Sequence, residues 1–211
     1  YNIKYILNGG NISTEGIRNP LDWLYYGTDM SQIKYIKENF VNRPLPTYPF
    51  SGVLRHKLYL RYIRRIKVIK PLNHMPYIKA DAMKFLESQY GWRPYPQKHF
   101  ESRFTKFYEG YWLPKRFGYD TRKVQFSSLI QTDQMDRGEA LAKLKHPALS
   151  DEEVRKDLQY ISKKLEIEEA ELISYLNMPI KSHYDYPNKQ WLFNLGAKTM
   201  KWLGLERSIK R

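Results

Sequence analysis

Apolar residues recur at helical spacing along almost the whole chain after residue 31, while the clearest strand-like run is Ile3-Lys4-Tyr5-Ile6-Leu7. That imbalance restricts the fold to an α/β chain with few strands and many helices, because a mostly β protein would show period-2 alternation instead. The strand runs into Asn8-Gly9-Gly10-Asn11, and a loop continues through Ser13-Thr14-Glu15-Gly16 to Pro20. In open α/β sheets ligands gather at the carboxyl ends of strands. Adjacent glycines also let backbone N–H groups approach a phosphate. The same string is equally an ordinary turn.

Periodicity predicts helices over 31–40 with Ser31 as N-cap, over 80–90 closed by Gly91, and over 99–110 and 121–130. A further helix starts at Thr132 or Asp136 and ends before Pro147. Residues 150–165 follow a Ser150–Glu153 capping box, and 168–176 form the next helix. Residues 53–69 read as an amphipathic helix with Arg55, Lys57, Arg61, Arg64, Arg65 and Lys67 on its polar face, its last turn irregular or extended, ended by Pro71. The simplest division is 1–147 as one domain and 148–211 as a helical appendage and tail. Trp191, Phe193 and Trp202 are the expected anchors of that tail.

The densest polar stretch is 98–123. It packs seven Lys or Arg with His99, Glu101, Ser102 and Thr105 between Lys98 and Lys123, punctuated by Gly110, Pro114 and Gly118. Phe100, Phe104, Phe107 and Tyr108 make an aromatic stripe that reads as core. Glu101, Arg103 and Lys106 lie off the stripe, and Ser102 and Thr105, three apart, share a face suited to one ligand. A wet amphipathic helix would also look like this. The chemical reading is anion binding by Lys and Arg, with Lys98, His99 and Glu101 as the catalytic candidates and proton transfer by His99 or Glu101. On that reading the 98–123 cluster lines one cleft facing the Gly9-Gly10-Asn11 loop.

The charge supports an anionic partner without choosing one. Lys and Arg number 36 against 22 Asp and Glu, a formal +14 over 211 residues. Such a field attracts nucleotides, phosphorylated sugars, nucleic acid or membrane surface. Zero cysteine excludes disulfides, thiol catalysis and Cys-ligated zinc within these residues, and sits easily with a cytoplasmic location. No apolar run is long enough for a membrane span, and no signal peptide is read at the start. Tyr1 in place of Met leads to the expectation that more chain belongs with this one.

The string KHFESRFTKFYEGYWLPKRFGYDTRK, followed by SSLIQTDQMDRGEAL, resembles the signature region of the N-acetyl sugar amidotransferase family of bacterial lipopolysaccharide and surface-glycan pathways. The likeness extends upstream through GGNISTEG and downstream to about Met178. It implies an adenine nucleotide α-hydrolase-like fold, a parallel sheet flanked by helices, here mostly helical because the N-terminal strands are absent. It also implies ATP with Mg2+, a nucleotide-linked N-acetyl sugar, and a glutaminase subunit with a cyclase-like subunit supplying ammonia. By resemblance, Gly9, Gly10, Asn11, Ser13, Thr14 and Glu15 match a strand-end loop near the nucleotide. Lys98, His99, Glu101, Ser102 and Arg103 match the second signature, Lys115, Arg116, Arg122 and Lys123 its basic continuation, and Arg137 the following helix. The Ser-Gly-Gly-x-Asp-Ser pyrophosphatase loop and the cysteine pairs of the complete pattern are missing here, so zinc is possible only through residues outside this chain. Two other readings stay open: a related enzyme that modifies tRNA, and a basic nucleic-acid-binding or assembly domain using 53–69, although the chain has no recognised RNA-reading motif.

Overall fold

A computed structural model describes residues 2–204. In chain order its strands and α-helices are β1 (Tyr5–Leu7), α1 (Ile12–Glu15), α2 (Met30–Phe40), β2 (Lys67–Ile69), α3 (Lys79–Tyr90), α4 (Arg103–Phe107), α5 (Leu113–Phe117), α6 (Arg122–Gln131), α7 (Arg137–Leu144), α8 (Asp151–Leu165), α9 (Glu169–Ser174) and α10 (Gln190–Trp202). The two strands pair as one small sheet. Lys67 N–H donates to Lys4 C=O at 2.8 Å and Asn8 N–H to Ile69 C=O at 2.9 Å, the parallel pattern. Residues 205–211, the end of the expected 148–211 division, lie outside the described residues.

The described residues form two compact units, one of residues 2–5, 24–67 and 181–204 and one of residues 6–23 and 68–180. In the second unit the core is a cluster of Phe107, Leu158, Ile161 and Leu172, with Tyr111, Trp112, Val154, Ile167 and Tyr175 packed around it. It draws on residues from both sides of position 147. α8 forms because Ser150 and Glu153 cap each other, Ser150 N–H donating to Glu153 at 2.9 Å and Glu153 N–H to Ser150 Oγ at 3.3 Å. Its buried face is Asp157, Leu158, Ile161 and Ser162.

The helix expected over 99–110 begins later, at Arg103, with Ser102 as N-cap. His99 has φ 69°, a left-handed conformation that ends any helix there. α4 then continues through a π-turn at Tyr108–Trp112 directly into α5. The aromatic stripe is only half core. Phe100 and Phe107 are buried, whereas Phe104 and Tyr108 are exposed. Gly110 sits inside the π-turn, where an added Cβ would lie 2.9 Å from Leu149 Cγ and 3.0 Å from Phe100 Cζ. Gly110 is therefore a packing residue and not a break. Pro114 falls in the first turn of α5, and Gly118, at φ 72°, closes it.

In the first unit Asp29 is the fixed point. It caps α2 by accepting Ser31 N–H at 2.9 Å, which corrects the expected Ser31 cap. Its carboxylate also accepts Tyr25 Oη–H at 2.8 Å and Lys189 N–H at 2.5 Å. Burial would raise the Asp29 carboxyl, but the bonds from Lys189, Tyr25 and Ser31 outweigh it and hold it below the ordinary range. Burial first, and then Asp29, push the Tyr25 phenol up. Phe193 stacks on Tyr26 at 4.1 Å and is an anchor as expected. Trp191 and Trp202 are not, being 65% and 84% exposed.

The 53–69 segment is also different from its pattern. It is a π-helix over Arg55–Ile63 followed by β2. Arg64 N–H reaches back to Tyr59 C=O at 2.8 Å and Ile66 N–H to Leu60 C=O at 2.9 Å, wide turns that an α-helix does not make. Arg65, at φ 53°, ends the run. The described residues of this unit carry three acids, Asp29, Glu38 and Asp185, against fourteen Lys and Arg, while the second unit is close to neutral. Most of the excess charge therefore resides in the first unit.

Two stability outcomes follow from this packing. Gly110→Ala gains helix propensity of under about 1 kcal/mol, but overpacking against Leu149 and Phe100 costs about 1–3 kcal/mol. The expected result is a lower urea midpoint with an unchanged slope. For Asp29, the lowered carboxyl contributes stability that is present above its unfolded value and lost as pH falls through the folded one. The wild-type melting temperature should thus drop on acidification below the ordinary 3.8 more steeply than that of Asp29→Asn; parallel curves for the two proteins would count against this role.

Candidate functional site

The second unit contains a cleft of about 350 Å3. One wall comes from α3 and the loop after it: Ala82, Met83, Leu86, Trp92, Tyr95 and Pro96. α6 supplies Gln125, Phe126 and Leu129, and Met135 completes the apolar lining. Thr14, Lys79, Lys98 and Lys143 bring hydroxyl and ammonium groups to the same space. Trp92 and Tyr95 meet edge to face at 5.4 Å, and Gln97 donates to Gln125 across the cleft.

The strand-end loop reaches this cleft because α6 holds it. Asn11 is buried and caps α1, accepting Thr14 N–H at 2.9 Å. Ile17 N–H donates to the buried Ser128 Oγ at 3.0 Å, and Thr132 Oγ1–H to Ser13 C=O at 3.2 Å. Gly10 N–H is committed to Asn8 Oδ1 at 2.7 Å. Space above Gly10 is short, since an added Cβ would meet Glu15 Oε2 at 3.0 Å. Gly9 has open surroundings. Of the loop candidates, Gly10, Asn11 and Ser13 thus serve the loop itself; Thr14 lines the cleft with its hydroxyl donating to Asn11 Oδ1 at 3.2 Å, and Glu15 reaches the site only through its pair with Lys98.

Glu15 and Lys98 pair at 2.8 Å. The Lys98 hydrogen bond is the main reason that the Glu15 carboxyl lies below its ordinary range, with Lys70 and His99 adding to it. Beside them His99 Nδ1 lies 2.9 Å from Glu109 Oε1, and Thr121 Oγ1–H donates to Glu109 Oε2 at 3.3 Å. The carboxylate fixes the imidazole and leaves Nε2 for proton transfer. Lys79 is the site's uncompensated cation: among the described residues no carboxylate lies within ion-pair distance of it. Burial, and then the charges of Lys98 and Lys143, push its amine down. Lys143 pairs with Glu139 at 2.7 Å.

The remaining sequence candidates lie elsewhere. Arg103 donates from Nε to Asp157 at 2.6 Å and from Nη2 to Lys156 C=O at 2.8 Å, with its guanidinium over the Tyr160 ring. Ser102 and Thr105 do not present a ligand face, because Ser102 Oγ accepts Thr105 N–H as the helix cap. Arg116 donates to the carbonyls of Tyr175 and Pro179. Arg122 forks onto Asp120 and reaches Lys143 C=O at 3.3 Å, so it braces the cleft from behind. Glu101, Lys115, Lys123 and Arg137 are exposed, and among the described residues Glu101 has no side-chain partner. The 98–123 cluster therefore does not line one cleft; Lys98 does, with His99 next to it. Lys79, Lys143, Trp92, Tyr95, Gln97 and Gln125 were not singled out by sequence. The Trp/Pro/Tyr composition of 92–97 was the available signal for three of the lining positions, and nothing local marks Lys79 or Lys143.

Residues 101–200 match the family described as LPS biosynthesis protein WbpG-like, C-terminal domain. Over those residues the chain is similar to that domain. The match ties it to lipopolysaccharide biosynthesis. No curated protein and no solved structure gives a significant match to the chain. The WbpG-like segment supplies Gln125, Phe126, Leu129, Met135 and Lys143 to the cleft, and the residues before it supply the other walls. Among the described residues no helix is long and apolar enough to cross a membrane, and no three His, Asp or Glu side chains are grouped to hold a metal ion.

Arg103 offers a direct test of structural against ligand-binding duty. Arg103→Lys removes the fork to Asp157 and Lys156 and should cost about 1.5–3 kcal/mol, as for hydrogen bonds to a charged group, read by urea unfolding. Phosphate affinity should not change. Intact stability with weakened phosphate binding would return Arg103 to the ligand site.

Proposed function

We propose that this chain is part of an ATP-dependent amidotransferase that converts an N-acetyl group on a nucleotide-linked sugar to an acetamidino group in lipopolysaccharide or related surface-glycan biosynthesis. The observation that carries the reading is the Glu15–Lys98 pair at the edge of an aromatic-walled cleft, next to a segment similar to a domain of a lipopolysaccharide-biosynthesis family. An amide oxygen is a poor leaving group, and bound ATP supplies the adenylyl group that makes it a good one. Pyrophosphate leaves as that oxygen is adenylated, and ammonia then replaces it at the carbon with loss of AMP and a proton. In this reading the whole enzyme has an adenine nucleotide α-hydrolase-like sheet flanked by helices, works in the cytoplasm, and receives ammonia from a glutaminase subunit with a cyclase-like partner.

The chain's own residues have defined work. The cleft excludes water from a planar ring held against Trp92 and Tyr95. Lys98, oriented by Glu15, neutralises charge on a phosphoryl oxygen. His99, oriented by Glu109, takes a proton at Nε2 from the attacking nitrogen. Glu101 sits on the exposed turn before α4, where it can meet the sugar. Mg2+ in this reading enters with the ATP phosphates, which need only one or two protein carboxylates beside them.

In the full-length enzyme Lys98→Ala and His99→Gln should each reduce ATP- and ammonia-dependent conversion of a nucleotide-linked N-acetyl sugar about 100-fold or more, with unchanged circular dichroism. Glu101→Gln should keep substrate binding better than turnover. A second reading is favoured by the basic first unit alone: RNA association that falls steeply with salt and weakens when Arg61, Arg64 and Arg65 are replaced. Wild-type turnover in the Lys98 and His99 variants together with such RNA binding would overturn the amidotransferase reading.

A further inference from the structure

The π-helix over Arg55–Ile63 turns its apolar row toward water. Residues four and five apart share a face in a helix closed by i→i+5 bonds. Leu54, Leu58, Tyr59 and Ile63 therefore fall in one row, with Tyr62 beside it. All five are exposed, Leu54 at 64% and Ile63 at 70%. Within 53–66 the half-buried residues are instead Val53, Leu60 and Ile66. Leaving Leu and Ile side chains in water forgoes the hydrophobic gain that burial would bring. This row is therefore an apolar surface that the fold does not use.

Cations border the row on both sides. Lys57 and Arg61, four apart, flank it on one side, and Arg55 and Arg64, two such turns apart, on the other. Arg61 places its guanidinium 5.5 Å from the Tyr62 ring centre, so that a long apolar stem and an aromatic ring meet with the charge at the rim. No Asp or Glu occurs between Glu38 and Asp81. In the same unit α10 has a similar composition: Lys198, Lys201, no acid, and exposed Trp191, Leu195, Met200 and Trp202. The complement of such a surface is anionic at its edge and apolar at its centre. Single-stranded RNA offers phosphates for cations and bases for aromatic rings, but nothing that an aliphatic row would recognise. An anionic bilayer offers headgroup phosphates and, just beneath them, acyl chains, with Tyr and Trp favoured at the boundary.

We propose that the π-helix lies flat on an anionic lipid bilayer, with Leu54, Leu58 and Ile63 inserted at the acyl boundary and Arg55, Lys57, Arg61 and Arg64 on lipid phosphates. Binding of this kind is peripheral and reversible, and it needs no membrane-spanning helix. The proposal stands apart from the amidotransferase reading, because its residues belong to the first unit and the cleft to the second.

The test is co-sedimentation of the full chain with vesicles of phosphatidylglycerol and phosphatidylcholine, and with vesicles of phosphatidylcholine alone. Wild type should bind the first, and the second at least tenfold more weakly. Replacing the aliphatic row by Leu54→Ser, Leu58→Ser and Ile63→Ser together should weaken vesicle binding at least tenfold and leave association with polyuridylate RNA unchanged. Replacing the border by Arg55→Gln, Arg61→Gln and Arg64→Gln together should also weaken vesicle binding at least tenfold at low salt. Leu58→Trp keeps the apolar area and should bind vesicles at least as tightly as wild type. All of these side chains are exposed, so circular dichroism and Tm should not change. No binding of wild type to the anionic vesicles, or wild-type binding by the serine variant, overturns the proposal. So does RNA binding without vesicle binding, which gives the face to nucleic acid, and so does a wild-type dimer that the serine variant dissolves, which gives it to a second copy of the chain.

Discussion

The buried carboxylate of Asp157 sets the geometry on which much of the second unit depends. A carboxylate taken out of water costs several kcal/mol unless it is paired, and Asp157 is 2% exposed. Arg103 answers it with a 2.6 Å hydrogen bond, and Lys106 places its ammonium 2.9 Å from the other oxygen as an ion pair, off the angle of a hydrogen bond. Those two cations are three residues apart on α4, so they share the face that meets α8. The pairing fixes how α4, the π-turn and α5 lie on the Phe107–Leu158–Ile161 core. It also fixes where the chain enters α4, and with it the turn that carries Lys98 and His99. Much of the charge in the densest polar stretch is therefore architectural.

What could be read in advance was local. Capping at Ser150, the left-handed glycine at Gly91 and the extents of α6 and α8 depend on neighbouring residues, and the sequence shows them, while for α7 it left Thr132 and Asp136 both open as the start. The π-turn at Tyr108–Trp112 has no signature at a 3.6-residue period, and the exposure of Phe104 and Tyr108, which stack on each other four residues apart, depends on which face of the helix meets α8. The N-cap of α2 was misplaced by two residues because Ser31 and Asp29 are both good caps, and only the Lys189 and Tyr25 bonds decide between them. Lys98 and Glu15 were each legible as candidates. Their pairing across 83 positions was not, and neither were Lys79 and Lys143, whose significance lies wholly in their convergence.

Charge acts in two different ways in this molecule. In the first unit it is a broad excess on exposed surface, which gives long-range attraction that salt screens within about 10 Å at 0.1 M. In the cleft it is a few ammonium groups against an apolar wall, where screening is weaker and geometry counts for more. The formal +14 thus says little about the site, since the second unit is nearly neutral and still concentrates cations at one place. Overall charge had suggested nucleic acid as readily as a small ligand; the local arrangement favours the small ligand.

The bond between Lys189 N–H and Asp29 spans 160 residues, and that separation has a consequence for biogenesis. At about 5–20 residues per second, Lys189 follows Asp29 out of the ribosome by on the order of 10 s. Throughout that interval residues 24–67 lack the segment that satisfies their buried carboxylate and stacks on Tyr26. Residues 68–180, by contrast, emerge as a continuous block that holds nearly all of the second unit. Translation therefore presents the later unit for folding first and leaves the earlier one as a basic, aromatic-rich nascent segment waiting for its C-terminal closure.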